Sequence, residues 1–117
     1  MTIDRDRLHE ARFDDLLAAD EADDSPIPPG EVLHEDFMVP LGISAAELAR
    51  GLHVPANRIT MLLHGQRAIT ADTALRLSRY FGTTPEFWMR LQADFALRQA
   101  RHTVAADIER EVSPRVA

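Results

Sequence analysis

From Gly30 onward, residues that start and stop helices recur at such short intervals that only a string of short helices fits between them. GEVLHEDFM sets Leu33 and Phe37 four apart, an apolar edge that Pro40 and Gly42 close off. SAAELARGL opens on a capping box: the Ser44 hydroxyl suits the Glu47 N–H, and the Glu47 carboxylate can reach back to the Ser44 N–H. Its apolar face is Leu48, Ala49 and Leu52, and His53-Val54 breaks it. PANRITMLLHG follows, with Pro55 at a first helical position, Ile59, Leu62 and Leu63 inward, and Gly65 as its stop. Thr70 caps ADTALRLSRYFG, where Asp72 suits the positive end of the helix dipole and Gly82 ends a stripe of Ala74, Leu77 and Phe81. Thr84 and Pro85 start a last helix carrying Phe87, Trp88, Leu91, Phe95 and Leu97. No run alternates apolar and polar residues as a half-buried strand would. The expected fold class is all-α, with five helices.

The first 25 residues differ in kind. Leu8, Ala11, Leu16 and Leu17 make an imperfect helical stripe, and DEADDSPIPP then ends it, because Pro26, Pro28 and Pro29 each lack an N–H and disfavour α geometry in the residue before them. Residues 1–28 are therefore expected to be an acidic N-terminal extension and linker, and residues 29–117 the folded domain. Charge divides at nearly the same place. Residues 1–36 hold twelve carboxylates and three arginines, a net of −9, whereas 37–117 hold seven carboxylates and ten arginines, a net of +3. The overall −6 thus conceals a mildly basic body. Binding to phosphates follows the field of the docking face and not the total charge.

Several functions are disfavoured. The absence of cysteine removes disulfides, thiolate zinc sites and cysteine nucleophiles. No stretch approaches the ~20 apolar residues that span a bilayer, and the N-terminus lacks a signal-peptide core, so no membrane association and a cytoplasmic location are expected. His9, His34, His53, His64 and His102 show no i, i+4 pairing, and His34-Glu35 has Met38 where a zinc-protease motif needs its second histidine. No nucleophile–base set, catalytic carboxylate pair or phosphate loop is visible, so neither catalytic residues, metal nor cofactor is expected.

Spacing carries the positive expectation. Ala49, His53 and Ile59 stand where a helix-turn-helix needs a small residue under the helix crossing, a turn residue and an apolar anchor. The opposite face of 55–64 then carries Ala56, Asn57, Thr60, Met61 and His64, with Arg58 at its edge. A major groove admits one helix, in which asparagine pairs with adenine, arginine with guanine, and a small apolar side chain meets the thymine methyl. Arg67, in the loop that follows, suits a phosphate, and Arg50 and Arg79 are weaker candidates of the same kind. The helix after Pro85 has more apolar surface than one small domain covers, which suggests a homodimer through Trp88, Leu91 and Phe95, although Trp88 at this spacing suits the core as well as a dimer interface.

The run PPGEVLHEDFMVPLGIS, with ELARGLHVPANRITMLLHGQRAITADTALRLSRYFGTTPEFWMRLQ, resembles the HigA/VapI branch of the Xre-like helix-turn-helix proteins, which share a phage-repressor-like domain. The resemblance spans about Pro29 to Gln92. It implies an antitoxin of a toxin–antitoxin operon that binds double-stranded operator DNA as a dimer and neutralises a small basic HigB-like toxin, typically an RNase. Asn57-Arg58 and Gly65-Gln66-Arg67 match the family's recognition helix and following loop, and Ser44 completes the set expected at DNA. His53 departs from the pattern: relatives usually have glycine at that turn, so a positive φ is expected on a residue that carries a Cβ. Leu8, Phe13, Leu16 and Leu17 are the expected toxin anchors in the acidic leader, with the first helix near Leu33 to Phe37 as the other possible seat. A free-standing repressor without a toxin is the alternative that the same DNA-binding residues allow.

Overall fold

The stop signals act through left-handed closure. Gly42, Gly65 and Gly82 adopt φ of 66°, 72° and 78°, and His53 joins them at 59°. Such a residue turns the chain back over the last helical turn, so that its N–H groups reach carbonyls the helix leaves unpaired. The computed structural model describes residues 25–116, and among these it has six helices and no strand. Leu8, Phe13, Leu16 and Leu17 lie outside the described residues.

The first helix, α1, covers 29–41 in three consecutive pieces: an α-helical turn Pro29–Val32, a π-helical stretch Leu33–Met38 and a closing turn Val39–Leu41. Pro29 opens it at a position where no intrahelical N–H is needed. Pro40 was expected to help end this helix, yet the helix runs through it and stops at Gly42. The reason is steric. A proline ring clashes with the carbonyl four residues back and offers it no N–H, and widening the preceding turn relieves both problems. Val39 accordingly donates to the His34 carbonyl, five residues back. The wider turn also brings Leu33 and Met38 to one face, and both are buried.

Four further helices match the sequence expectation: α2 (Ala45–Leu52), α3 (Ala56–Leu63), α4 (Ala71–Phe81) and α5 (Pro85–Thr103). Ser44, Thr70 and Thr84 cap α2, α4 and α5 by accepting from the N–H groups of Glu47, Thr73 and Phe87. Only half of the capping box forms, since no return bond from Glu47 to the Ser44 N–H is present among the described residues. Pro55 sits at the N-cap of α3, one place before the first helical position. A sixth helix, α6 (Ala105–Glu111), corrects the count of five. Its apolar stripe of Val104, Ile108 and Val112 is short and exposed, none of its residues is buried, and it carries the i, i+3 ion pair of Asp107 with Arg110.

Leu33, Met38, Leu48, Ala49, Leu52, Ile59, Leu62, Ile69, Ala74, Leu77 and Trp88 form one buried cluster drawn from α1 to α5 and, at Ile69, from the loop between α3 and α4. Trp88 is its largest member and is fully buried. Its ring centroid lies 5.0 Å from that of Phe37 and 4.9 Å from that of Phe87, and its indole N–H donates to the Thr83 hydroxyl at 2.7 Å. This corrects the expectation for Trp88 at a dimer seam, because the indole has no surface left to offer. Leu91 and Phe95 are half-buried, and Leu91 packs against the core. Leu97, Val104, Ile108, Val112 and Val116 are exposed apolar side chains of the C-terminal stretch. No helix among the described residues is long and apolar enough to cross a membrane.

Candidate nucleic-acid interface

The site is built from the crossing of α2 and α3. Ala49 and Ile59 are both buried, as the small residue under the crossing and the apolar anchor must be. Between them the chain reverses at His53, with the His53 N–H donating to the Arg50 carbonyl at 3.2 Å and the Val54 N–H to the Ala49 carbonyl at 3.0 Å. That pair of bonds is a Schellman closure, and it demands the left-handed residue in between. His53 supplies it at φ 59° and ψ 48°, so the positive φ expected at this turn is present without a glycine.

The far end of α3 closes in the same way. Gln66 donates to the Met61 carbonyl at 2.8 Å and Gly65 to that of Leu62 at 3.2 Å. The loop beyond is held at its other end by buried Ile69, whose N–H donates to the Gln92 side-chain oxygen of α5 at 2.7 Å. Gln66 and Arg67 are therefore displayed, exposed, on a loop fastened at both ends. Among the described residues Arg67 has no hydrogen-bond or ion-pair partner.

Ile59 and Leu62 face the core, which leaves Ala56, Asn57, Thr60 and His64 exposed and Met61 half-buried at the edge. The Thr60 hydroxyl donates to the Asn57 carbonyl at 3.2 Å, while the Asn57 amide is exposed. Ser44 is exposed at the start of α2, with its Oγ accepting from Glu47. The structure thus brings Ala56, Asn57, Thr60, His64, Gln66 and Arg67 onto exposed positions of one helix and its trailing loop. It places Arg58 differently. Its Nη1 lies 3.3 Å from Oδ2 of Asp72 in the first turn of α4, and the same oxygen accepts from Nε of Arg76 at 2.9 Å. The hydrogen bond from Arg76 holds the Asp72 carboxyl below its usual range, and the charge of Arg58 adds to the effect.

Sequence reasoning missed three contributors. Arg76 donates from Nη1 to the Leu52 carbonyl at 2.9 Å and to that of His53 at 3.5 Å, tying the turn to α4. The i, i+4 spacing of Asp72 and Arg76 was the available signal, but it says nothing about the carbonyls 23 and 24 residues away. Gln92 looked like one polar residue of an amphipathic helix. Gly30 is needed because a Cβ there would lie 2.3 Å from the Leu62 carbonyl oxygen and 2.9 Å from Cα of Leu63, so α1 rests directly on the backbone of α3. Among the described residues no group of His, Asp and Glu side chains converges as a metal site requires.

Two helices crossing over a small residue, with a polar face and a fastened loop presented outward, define a helix-turn-helix domain. Comparison with known proteins places it further. Residues 35–88 match the family described as Helix-turn-helix. Virulence-associated protein I of Dichelobacter nodosus is 49% identical over 74 residues, 63% of this chain and 68% of that one. A solved addiction module antidote protein of the HigA family from Coxiella burnetii superimposes with a TM-score of 0.73 at 48% identity, covering 78% of this chain and 99% of the other. The Pseudomonas aeruginosa antitoxin HigA, solved with the higBA promoter, gives 0.75 at 43% identity over 78% of this chain and 99% of that one. The chain belongs to the helix-turn-helix family, in its Xre-like, HigA/VapI-type branch.

Proposed function

We propose that this chain is an antitoxin that represses its own operon by laying α3 in the major groove of operator DNA and that neutralises a small RNase-type toxin encoded beside it. The observation that carries the DNA half is the outward face of Asn57, Thr60 and His64, continued by exposed Arg67 on a loop fastened at Gly65 and Ile69. Membership of a family whose P. aeruginosa relative was solved with promoter DNA supports it. Asn57 then reads a base, Ala56, Met61 and His64 lie against the groove, and Ser44, Gln66 and Arg67 fix the register on phosphates.

Two copies bind two half-sites about one DNA turn (~34 Å) apart. With Trp88 buried, the dimer seam uses Leu91, Phe95 and the exposed Leu97, Val104 and Ile108. Residues 1–28 form the acidic extension, and its net negative charge raises the encounter rate with a basic HigB-like toxin. Leu8, Phe13, Leu16 and Leu17 anchor the complex. The first helix is a poorer seat for the toxin than the sequence suggested, because Leu33 is fully buried.

The test has two arms. Shift titrations on the region upstream of the coding sequence should show Asn57→Ala costing ~1–3 kcal/mol and relaxing base preference, while Arg67→Ala weakens all sequences alike. Co-expression with the neighbouring small gene should restore growth with the full-length chain and fail with residues 1–25 deleted. Wild-type operator affinity in both point variants would overturn the recognition face. A full-length chain that binds no neighbouring gene product would overturn the antitoxin role and leave a free-standing repressor.

A further inference from the structure

Arg58 follows Asn57 in the first turn of α3, at the edge of the face proposed to meet DNA, yet its guanidinium is engaged within the protein. Asp72 Oδ2 accepts from Arg58 Nη1 at 3.3 Å and from Arg76 Nε at 2.9 Å. Arg76 is itself fixed, because its Nη1 donates to the carbonyl of Leu52, the last residue of α2, and to that of the turn residue His53. One carboxylate, held from behind by a braced arginine, thus offers an exposed acceptor to an arginine of the recognition helix. A carboxylate is the side-chain group closest to a phosphate in charge and in the geometry it offers a guanidinium. The pair is not buried: the Arg58 side chain is 25% exposed and that of Asp72 58% exposed, so a DNA phosphate can compete for the same donors.

We propose that Asp72 is a positioning residue that occupies Arg58 in the manner of a phosphate and so withholds one cation from the DNA backbone, with Arg76 keeping the carboxylate in place. The proposal rests on the reading of α3 as the DNA-binding helix. Its consequence is for specificity. Binding to non-operator DNA depends almost wholly on phosphate contacts, so withholding one arginine weakens it most. On the operator, base contacts fix the depth and tilt of α3, and an arginine placed at its edge adds less. Asp72 therefore widens the gap between operator and non-operator affinity.

The test is a double-mutant cycle on the full-length chain, with fluorescence anisotropy on operator and scrambled duplexes over a salt series. Asp72→Asn keeps the shape and an acceptor oxygen for Arg76 but loses the charge. It should tighten binding to the scrambled duplex more than to the operator. It should also steepen the dependence of log K on log salt by about one unit per protomer, because one more phosphate is neutralised. In an Arg58→Ala background the same substitution should leave the slope unchanged. That second arm separates the proposal from simple removal of an acid near DNA, which would act equally in both backgrounds, and from a purely structural role, which would lower the melting temperature without steepening the slope. An unchanged slope in Asp72→Asn, or an equal change with and without Arg58, overturns the proposal alone. Failure of the wild-type chain to bind any duplex overturns the DNA-binding reading as well.

Discussion

Replacing His53 by glycine should stabilise the protein. At φ 59° and ψ 48° His53 has a left-handed backbone, where an L-residue crowds its Cβ against the following carbonyl at a cost of about 1–2 kcal/mol. Glycine removes that crowding but has more unfolded-state freedom to lose, about 0.5–1 kcal/mol. The turn's supporting bonds are those of the His53 N–H to the Arg50 carbonyl, of the Val54 N–H to the Ala49 carbonyl, and of Arg76 Nη1 to the carbonyls of Leu52 and His53, and none of them uses the imidazole. They survive the substitution. The net gain is roughly 0.5–1 kcal/mol, from the difference of those two quantities. For a domain of this size it should raise the melting temperature by roughly 2–6 °C. Urea denaturation followed by circular dichroism measures it directly: the midpoint should rise with the slope unchanged. His53→Asn should sit near wild type, because asparagine tolerates this region, and the β-branched His53→Val should lose stability. A glycine variant no more stable than wild type would refute the reasoning, since the imidazole would then be making contacts that offset the strain.

Gly30→Ala should destabilise by about 1–3 kcal/mol, because the added Cβ meets the backbone of Leu62 and Leu63 and not a side chain that can swing away; thermal melts check it. Trp88→Ala should lose about 3–5 kcal/mol, whereas Leu97→Ala, at a side chain 55% exposed, should leave the unfolding free energy of the monomer nearly unchanged in denaturant titrations. Asp72 gives a pH signature. Its folded-state pKa is lowered, so its contribution is fully present above the ordinary carboxylate value and is lost as pH falls through the lower folded one. Below about pH 4 the urea midpoint of wild type should therefore approach that of Asp72→Asn, and a constant gap between them down to pH 2 would refute the assignment.

The helices were legible in the sequence because a helix end is a local event. Ser44, Thr70 and Thr84 each cap an N–H three residues on, and Gly42, Gly65 and Gly82 each close a turn they directly follow. Such signals lie within one helical turn of the residues they act on, so no knowledge of the fold is needed to read them. Even the strain at His53 was visible, as a side chain where the turn calls for none. The exposed face of α3 followed from the positions of Ile59 and Leu62 by helical periodicity alone. The passage of α1 through Pro40 was less accessible, since a proline stops or widens a helix according to whether burying Leu33 and Met38 together compensates for the disturbance.

What tertiary structure alone decided are the contacts between helices. Trp88 became core and not seam because Phe37 and Phe87 close over it, and its helical spacing was compatible with either. Arg58 meets Asp72 14 residues on, Ile69 meets Gln92 23 on, and Leu52 meets Arg76 24 on. Gly30 is required only because α1 touches the backbone of α3. Each of these depends on the angles and distances at which helices cross, and those come from the packing of the whole core, which no single helix encodes.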